Sequence, residues 1–312
     1  MIKLIHGDCL IESDKIESGS VDLILTDLPY GTVGESMQDN TGKYKIINQS
    51  KWDNVIDTTK IMEIANRILR KNGKMVLFAQ QPFTTELINK AIPNLPFSYT
   101  IFWDKLHFAN CLGANKACVN YMEECLLFSK THDLERSHPL IDYFMAELEK
   151  TGMNQNDVNK LLGNKMGGHY FTNGVQFCIP TEKNYNKLQE TGYFQKPYQE
   201  LKDIDNQFKN KFASTFNLWE GKKYKSNILK YKKDYNGYHP TQKPVLLLED
   251  LIKTFSNEGD LVVDLTAGSF STAIACINTK RKFIGIEKDD KYFEIAEKRI
   301  NAAKPERTLF DD

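Results

Sequence analysis

Val21-Asp22-Leu23-Ile24-Leu25-Thr26-Asp27-Leu28-Pro29-Tyr30 decides the fold. Val21, Leu23, Ile24 and Leu25 make a nearly unbroken apolar run, the pattern of a strand buried on both faces of a parallel sheet. Asp27 then falls where the strand ends. In open α/β sheets the ligand crevice lies at the carboxyl ends of the strands, so an acid, a proline and an aromatic arriving there together point to a site. Asp and Pro also build ordinary turns, and taken alone the stretch reads that way too.

Outward from it, the same rhythm repeats. Met1–Ile5, Lys74–Ala79, Leu261–Asp264 and Phe283–Glu287 are further short apolar runs, and Tyr99–Lys105 and Tyr121–Ser129 read as two more strands. Between them lie helical patterns. Ile61, Ile64, Ala65, Ile68 and Leu69 repeat at three and four within 57–71, closed by Asn72-Gly73. Pro82 opens a helix to about Ala91, Val245–Phe255 is apolar and helical, a helix of small residues follows Ser269 to about Ile277, and Lys291–Ile300 is amphipathic. This alternation predicts an α/β, Rossmann-like sheet with helices on both faces. Residues 33–54 carry no period and read as a long loop beside the site, an active-site lid or an insertion.

Composition sets bounds. The 312 residues carry 41% hydrophobic content, ample for a packed core, and a net charge of +0, so any affinity for nucleic acid must come from a local patch. No signal peptide opens the chain and no apolar run approaches the roughly 18 residues that span a bilayer, so a cytoplasmic, membrane-free protein is expected. The six cysteines form no CxxC pair; Cys111, Cys118 and Cys125, spaced by seven, read as reduced thiols in a core, and no metal is expected.

The acid at position 27 has a specific chemistry available to it. An exocyclic amine on a nucleobase is a poor nucleophile because its lone pair is delocalised into the ring. The Asp27 carboxylate and the backbone carbonyl of residue 28 are hydrogen-bond acceptors that could return electron density to such a nitrogen, and Tyr30 offers a ring for an extruded base, a stacking worth roughly 1–3 kcal/mol. Near the other end of the chain, Leu265-Thr266-Ala267-Gly268-Ser269 is a strand-to-helix turn of small residues, where a ligand can approach the backbone. Glu287 follows Asp264 by about twenty residues, a distance that suits an acid on a ribose hydroxyl pair.

Asp27-Leu28-Pro29-Tyr30 resembles the catalytic motif of the amino-group DNA methyltransferases, usually Asp-Pro-Pro-Tyr in those acting on adenine N6. His239-Pro240-Thr241-Gln242-Lys243-Pro244, the turn at Gly268 and Gly285-Ile286-Glu287…Tyr292…Ala296…Arg299-Ile300 look like the cofactor half of such an enzyme. The order, tetrad first and cofactor turn last, matches the permuted β group. The resemblance covers roughly 1–130, the catalytic part, and 238–303, within the cofactor-binding part 238–312. It implies S-adenosylmethionine as cofactor, with Asp8 near its adenine, Glu287 at its ribose, Asp264, Gly268 and Ser269 at the methionine part, Thr241 and Lys243 at the methionine end, and Asp27 also among the cofactor-binding residues. Phe102-Trp103-Asp104-Lys105 and Glu123-Glu124 resemble the part that shapes the pocket for the flipped base. Two departures stand out: Leu28 replaces a proline whose carbonyl, not side chain, is the acceptor, and Phe270 stands where the family has glycine, which predicts a narrowed cofactor pocket.

In 131–237 the α/β rhythm stops and Asn, Gln, Lys and Tyr dominate, which predicts an inserted, mainly helical target-recognition region. Helical spacing over Ile141–Lys150 and Asn154–Leu162, joined at Thr151-Gly152, is similar to a helix-turn-helix over 141–170. Asn164, Lys165 and His169 would then face DNA, although Gly167 and Gly168 weaken a helix there. Lys222, Lys223, Lys225, Lys230, Lys232 and Lys233 interleave with Tyr224, Tyr231 and Tyr235 with no acid between Lys222 and Lys233, a composition suited to tracking phosphates. Arg307–Asp311 faintly resembles tails that dock on replication clamps.

The expectation is thus an S-adenosylmethionine-dependent DNA methyltransferase, adenine N6 favoured over cytosine N4 because of Asp27, acting on double-stranded DNA by base flipping without a covalent intermediate. It would work as monomer or homodimer, with a companion restriction endonuclease as a further partner. The rival readings are methylation of RNA or of a glutamine side chain, and a non-catalytic DNA-binding protein that retains the fold.

Overall fold

The structure is a computed structural model that describes residues 1–29, 56–109, 114–116, 118–132, 138–174, 176–234 and 242–303, and the backbone of 34–38 and 44–49. Two compact units divide the chain. The first joins Met1–Asp133 to Ser214–Asp312, and the second is Leu134–Ala213.

The strands are β1 (Ile2–His6), β2 (Val21–Thr26), β3 (Gly34–Gln38), β4 (Tyr44–Gln49), β5 (Leu69–Ala79), β6 (Phe97–Ala109), β7 (Asn120–Ser129), β8 (Ile228–Lys230), β9 (Leu261–Asp264) and β10 (Lys282–Glu287). Eight form one sheet in the order β1-β10-β9-β2-β5-β7-β6-β8. Strands β1, β10, β9, β2 and β5 run parallel, β7 is antiparallel to β5 and β6, and β8 is parallel to β6. The helices of this unit are α1 (Cys9–Glu12), α2 (Thr58–Ile68), α3 (Phe83–Asn89), α9 (Val245–Phe255), α10 (Ser271–Asn278) and α11 (Asp290–Ala303).

Alternation along Leu23, Ile24 and Leu25 explains the layering, and the register shift between Val21 and Leu23 puts Val21 on the side of Ile24. Val21 and Ile24 enter a core with Met75, Leu77, Ile61, Ala65 and Leu87, so α2 and α3 cover that face. Leu23 and Leu25 enter the opposite core with Val76, Phe78, Leu247, Leu251, Ala273 and Cys276, under α9 and α10. Each fully buried Leu or Ile contributes roughly 1.5–3 kcal/mol, so this strand alone anchors both layers. The expected α/β sheet with helices on both faces is what the chain forms.

Three local expectations change. The helix expected over 57–71 ends at Ile68, and Leu69 already belongs to β5. Asn72 takes φ 62° inside the strand, and the register slips between Val21↔Leu69 and Leu23↔Lys74, so Asn72-Gly73 serves as a bulge instead of a helix stop. Within 33–54, β3 and β4 pair antiparallel where a loop without period was expected. Asp39-Asn40-Thr41-Gly42 between them was the available turn signal. Finally, the second compact unit stops at Ala213 where the expected insertion ran to 237: β8 pairs with Phe102–Asp104, and the Asn217 side chain donates to Lys253 O and Ser256 O.

The second unit holds α4 (Ile141–Thr151), α5 (Gln155–Leu162), α6 (Gly167–Tyr170), α7 (Glu182–Gln189) and α8 (Tyr198–Lys211). Its core is aromatic, with Phe144 against Tyr143, Phe171, Phe177, Tyr185 and Phe194. Gly152 and Gly163 end α4 and α5 in the left-handed region, and Asn154 with Asp157 makes a capping box. The element after α5 is a single turn of four residues, not the groove-reading helix expected over 164–170. Gly167 is pressed against Asn159 and Val158, where an added Cβ would sit 2.9 Å from Asn159 Oδ1, and its amide donates to that same oxygen. The Asn164 side chain accepts from Met166 N and so shapes the turn. Lys165 is exposed and His169 half-buried. No helix among the described residues is long and apolar enough to cross a membrane.

Candidate active site

The carboxyl ends of four adjacent parallel strands, β1, β10, β9 and β2, carry Asp8, Glu287, Asp264 and Asp27 in that order. Residues from the two ends of the sequence therefore meet along one edge of the sheet. The join is direct: Thr266 Oγ1 donates to the Asp27 carbonyl at 2.9 Å and shares a 2.8 Å hydrogen bond with Thr26 Oγ1.

Around Gly268 the turn is tightly organised. Gly268 takes φ 51°, and its amide donates to Glu287 Oε2 at 2.7 Å, while Glu287 Oε1 accepts from Asp289 N. Burial pushes the Glu287 carboxyl above its ordinary range, and those backbone donors work against the rise. Asp264 is buried and accepts from Thr272 Oγ1 at 2.7 Å and Thr266 N at 3.2 Å. Burial raises its pKa to about 6, with the hydroxyl donors opposing. Ser269 is held by Arg299, which donates to its carbonyl at 2.6 Å, and its hydroxyl donates to Gln242 Oε1 at 3.4 Å. Gln242 Nε2 is buried and has no hydrogen-bond partner among the described residues. Asp8 caps α1 through Leu10 N and pairs with Lys288 at 2.8 Å, which lowers its pKa.

Phe270 does not narrow this pocket. It takes φ 59°, and its ring is fully buried in the core, edge-on to Phe283 and Phe293. Gly285 leaves the room: an added Cβ there would lie 2.6 Å from Phe270 Cε1. The expected steric intrusion is replaced by a core contact beneath the turn.

At the β2 end, Leu28 is buried in the α2-side core and Pro29 is half-buried, so side-chain packing fixes the chain where the motif usually has its first proline. Tyr30 and Thr241 lie outside the described residues. Lys243 is 9% exposed and bridges two acids, Asp27 Oδ2 at 2.5 Å and Glu123 Oε1 at 2.8 Å. Burial alone would lower the Lys243 pKa, but the Asp27 and Glu123 carboxylates outweigh it and raise it. Burial likewise opposes the Glu123 charge, and Lys243 and Lys105 overcome it, so its pKa falls. Lys105, 2% exposed, completes the row at 3.2 Å from Glu123 Oε2. The resemblance puts Lys243 only at the methionine end of the cofactor. The structure commits its ammonium to Asp27 and Glu123, a pairing across more than a hundred residues that no local pattern announces.

The six lysines of 222–233 separate into three kinds. Lys222, Lys223, Lys230 and Lys232 are exposed, Lys222 pairing with Glu220 at 3.1 Å and Lys223 lying over the Tyr224 ring. Lys225 is 9% exposed and ion-paired to buried Asp250 at 2.5 Å, so it belongs to the packing. Lys233 is half-buried, and burial, then Lys105, lowers its pKa. The acids missing from the run itself arrive from Glu220 and from α9.

A family model described as DNA methylase matches residues 21–298. Among curated relatives, the DNA adenine methyltransferase YhdJ of Escherichia coli K12 is 27% identical over 96% of this chain and 83% of its own length. The type II methyltransferase M2.DpnII of Streptococcus pneumoniae is 23% identical over 96% of this chain and 89% of its own length. The crystal structure of the M1.HpyAVI–SAM complex superposes with a TM-score of 0.53 at 20% identity, covering 96% of this chain and 100% of that one. The PvuII cytosine-N4-specific DNA methyltransferase superposes with a TM-score of 0.51 at 14% identity, covering 98% and 88%. These two likenesses concern the fold.

Proposed function

The chain belongs to the N6/N4 DNA methylase family and is a DNA methyltransferase; from that premise we propose that it transfers a methyl group from S-adenosylmethionine to adenine N6 in duplex DNA. The relatives named as adenine or type II methyltransferases support the substrate and a place beside a restriction endonuclease, and the tetrad-first order supports the permuted β group. The observation that carries the reading is Asp27 at the end of β2, tied through Thr266 to the Gly268 turn.

Asp8, Asp264, Gly268, Ser269 and Glu287 would hold the cofactor, which when bound supplies an electrophilic methyl on a sulfonium. The fit rests on the small-residue turn and on Gln242 Nε2, a buried donor beside Ser269 whose missing acceptor a carboxylate would provide. Asp27 and the carbonyl of Leu28 accept from the target amine, raise electron density on its nitrogen and aim it, so that orientation supplies most of the acceleration. Tyr30 stacks on the flipped base. Exposed Lys222, Lys223, Lys230 and Lys232 add sequence-independent affinity for phosphates, and the unit Leu134–Ala213, with Asn164, Lys165 and His169 on it, reads the target.

Incubation with labelled S-adenosylmethionine and unmethylated duplex DNA, in competition with RNA and glutamine peptides, tests this. Label in N6-methyladenine that disappears with Asp27→Ala is expected. Label in N4-methylcytosine overturns the base assignment, and transfer to RNA or peptide alone overturns the substrate.

A further inference from the structure

Behind the proposed catalytic acid stands a row of four buried or half-buried charges of alternating sign, Lys105, Glu123, Lys243 and Asp27, with successive separations of 3.2, 2.8 and 2.5 Å. The strand pleat assembles it. Trp103 pairs in register with Glu123 and Phe78 with Cys125, so Phe78, Trp103, Lys105 and Glu123 share one face of the sheet, Glu123 falling just past the end of β5. The two cations lie over aromatic rings, Lys243 5.0 Å from Phe78 and Lys105 5.7 Å from Trp103.

A buried ion pair is seldom a gain in stability over well-packed apolar residues. Four charges set over aromatic rings at the carboxyl end of β2 therefore call for another reason. Lys243 placed on Asp27 alone would neutralise the carboxylate that must accept from the amine. Glu123 takes the same ammonium from the other side, and Lys105 holds Glu123 ionised.

We propose that Glu123 is a positioning residue for methyl transfer: by sharing Lys243 with Asp27 it fixes the ammonium between two carboxylates, leaving Asp27 anionic, oriented and a strong acceptor. The inference rests on the reading of Asp27 as the acceptor for the target amine. Nothing in it requires Glu123 to touch DNA or cofactor.

The test is the single-turnover rate of methyl transfer at saturating DNA and S-adenosylmethionine, with binding constants for both measured by titration. Glu123→Gln slows the step about 30-fold or more, and Glu123→Asp, which keeps the charge but retracts it, slows it about three- to ten-fold, as expected for a group displaced by about an ångström. Both affinities stay within about two-fold of wild type. A role confined to folding would lower the melting temperature and leave the rate untouched; that outcome in both variants overturns the proposal. Where Glu123→Gln fails to fold, Glu123→Asp decides alone. Recovery of the rate in Glu123→Gln/Lys105→Met also overturns it, since net charge and not the placement of Lys243 would then matter. A wild-type enzyme that transfers no methyl group at all rejects the functional reading instead.

Discussion

Asp27 and Asp264 end neighbouring parallel strands, yet the two regions treat a carboxylate in opposite ways. At the β2 end, Asp27 keeps a quarter of its side chain exposed and meets an ammonium at 2.5 Å. At the β9 end, Asp264 is buried among hydroxyl and amide donors, and its pKa rises to about 6. One carboxylate faces an ammonium and the crevice, while the other is closed in among neutral donors, where burial raises its pKa. Divergent tuning of paired acids separates their roles better than position in the fold does.

The contrast breaks most sharply at Asp27→Asn. The amide keeps the shape but turns half of the acceptor into a donor and leaves Lys243 with Glu123 alone. Methyl transfer should fall about a thousand-fold, roughly 4 kcal/mol of barrier, with cofactor affinity nearly unchanged. Single-turnover kinetics beside a cofactor titration measures both; a mild loss would make the β2 end no more special than the β9 end.

Asp264→Asn probes the other side through stability. The native pKa of about 6 exceeds the ordinary 3.8, so the folded state binds the proton more tightly than the unfolded chain. The penalty is absent below about pH 4, grows as pH rises through the window and is complete above about pH 6, where it reaches about 3 kcal/mol. Asp264→Asn escapes it. Its stability relative to wild type should therefore climb by about that amount between pH 4 and 7 in denaturant titrations, and a flat difference would show that Asp264 is not strained by burial.

What the sequence made legible follows from range. β2, β9 and β10 were readable because four to six consecutive residues state their own burial, and Asp27 because the acid closes such a run. The Glu123–Lys243 pair was not, because its partners sit on β7 and just before α9 and only the sheet order brings them together. α7 and α8 announce themselves weakly because their polar composition carries only a few anchors, Tyr185, Leu188 and Leu201, into an aromatic core supplied from elsewhere. Phe270 misled for a related reason: its place in the turn was visible, but the space at Gly285 that receives it was not.

That space gives a smaller test of the cofactor end. Gly285→Ala puts a methyl 2.6 Å from the Phe270 and Phe283 rings, neither of which is a flexible chain end. Overpacking of this kind costs about 1–3 kcal/mol. Because Phe270 underlies the Gly268 turn, the variant should weaken cofactor binding while leaving the transfer rate of the loaded enzyme near wild type, the reverse of Asp27→Asn.

The smallest effect on the chemical step belongs to the surface lysines, and it separates charge that touches DNA from charge that holds the fold. Replacing Lys222, Lys223, Lys230 and Lys232 with Gln removes exposed cations whose partners are weak or absent among the described residues. Each phosphate left without its cation should flatten the slope of log affinity against log salt by about 0.9, with no change in rate at saturating DNA. Lys225→Gln should do the converse, lowering the melting temperature by stripping buried Asp250 of a cation and leaving the slope alone. If the fourfold variant keeps its slope, the lysine run is only a solvated face, and the affinity for duplex DNA must come from the second unit or from the crevice itself.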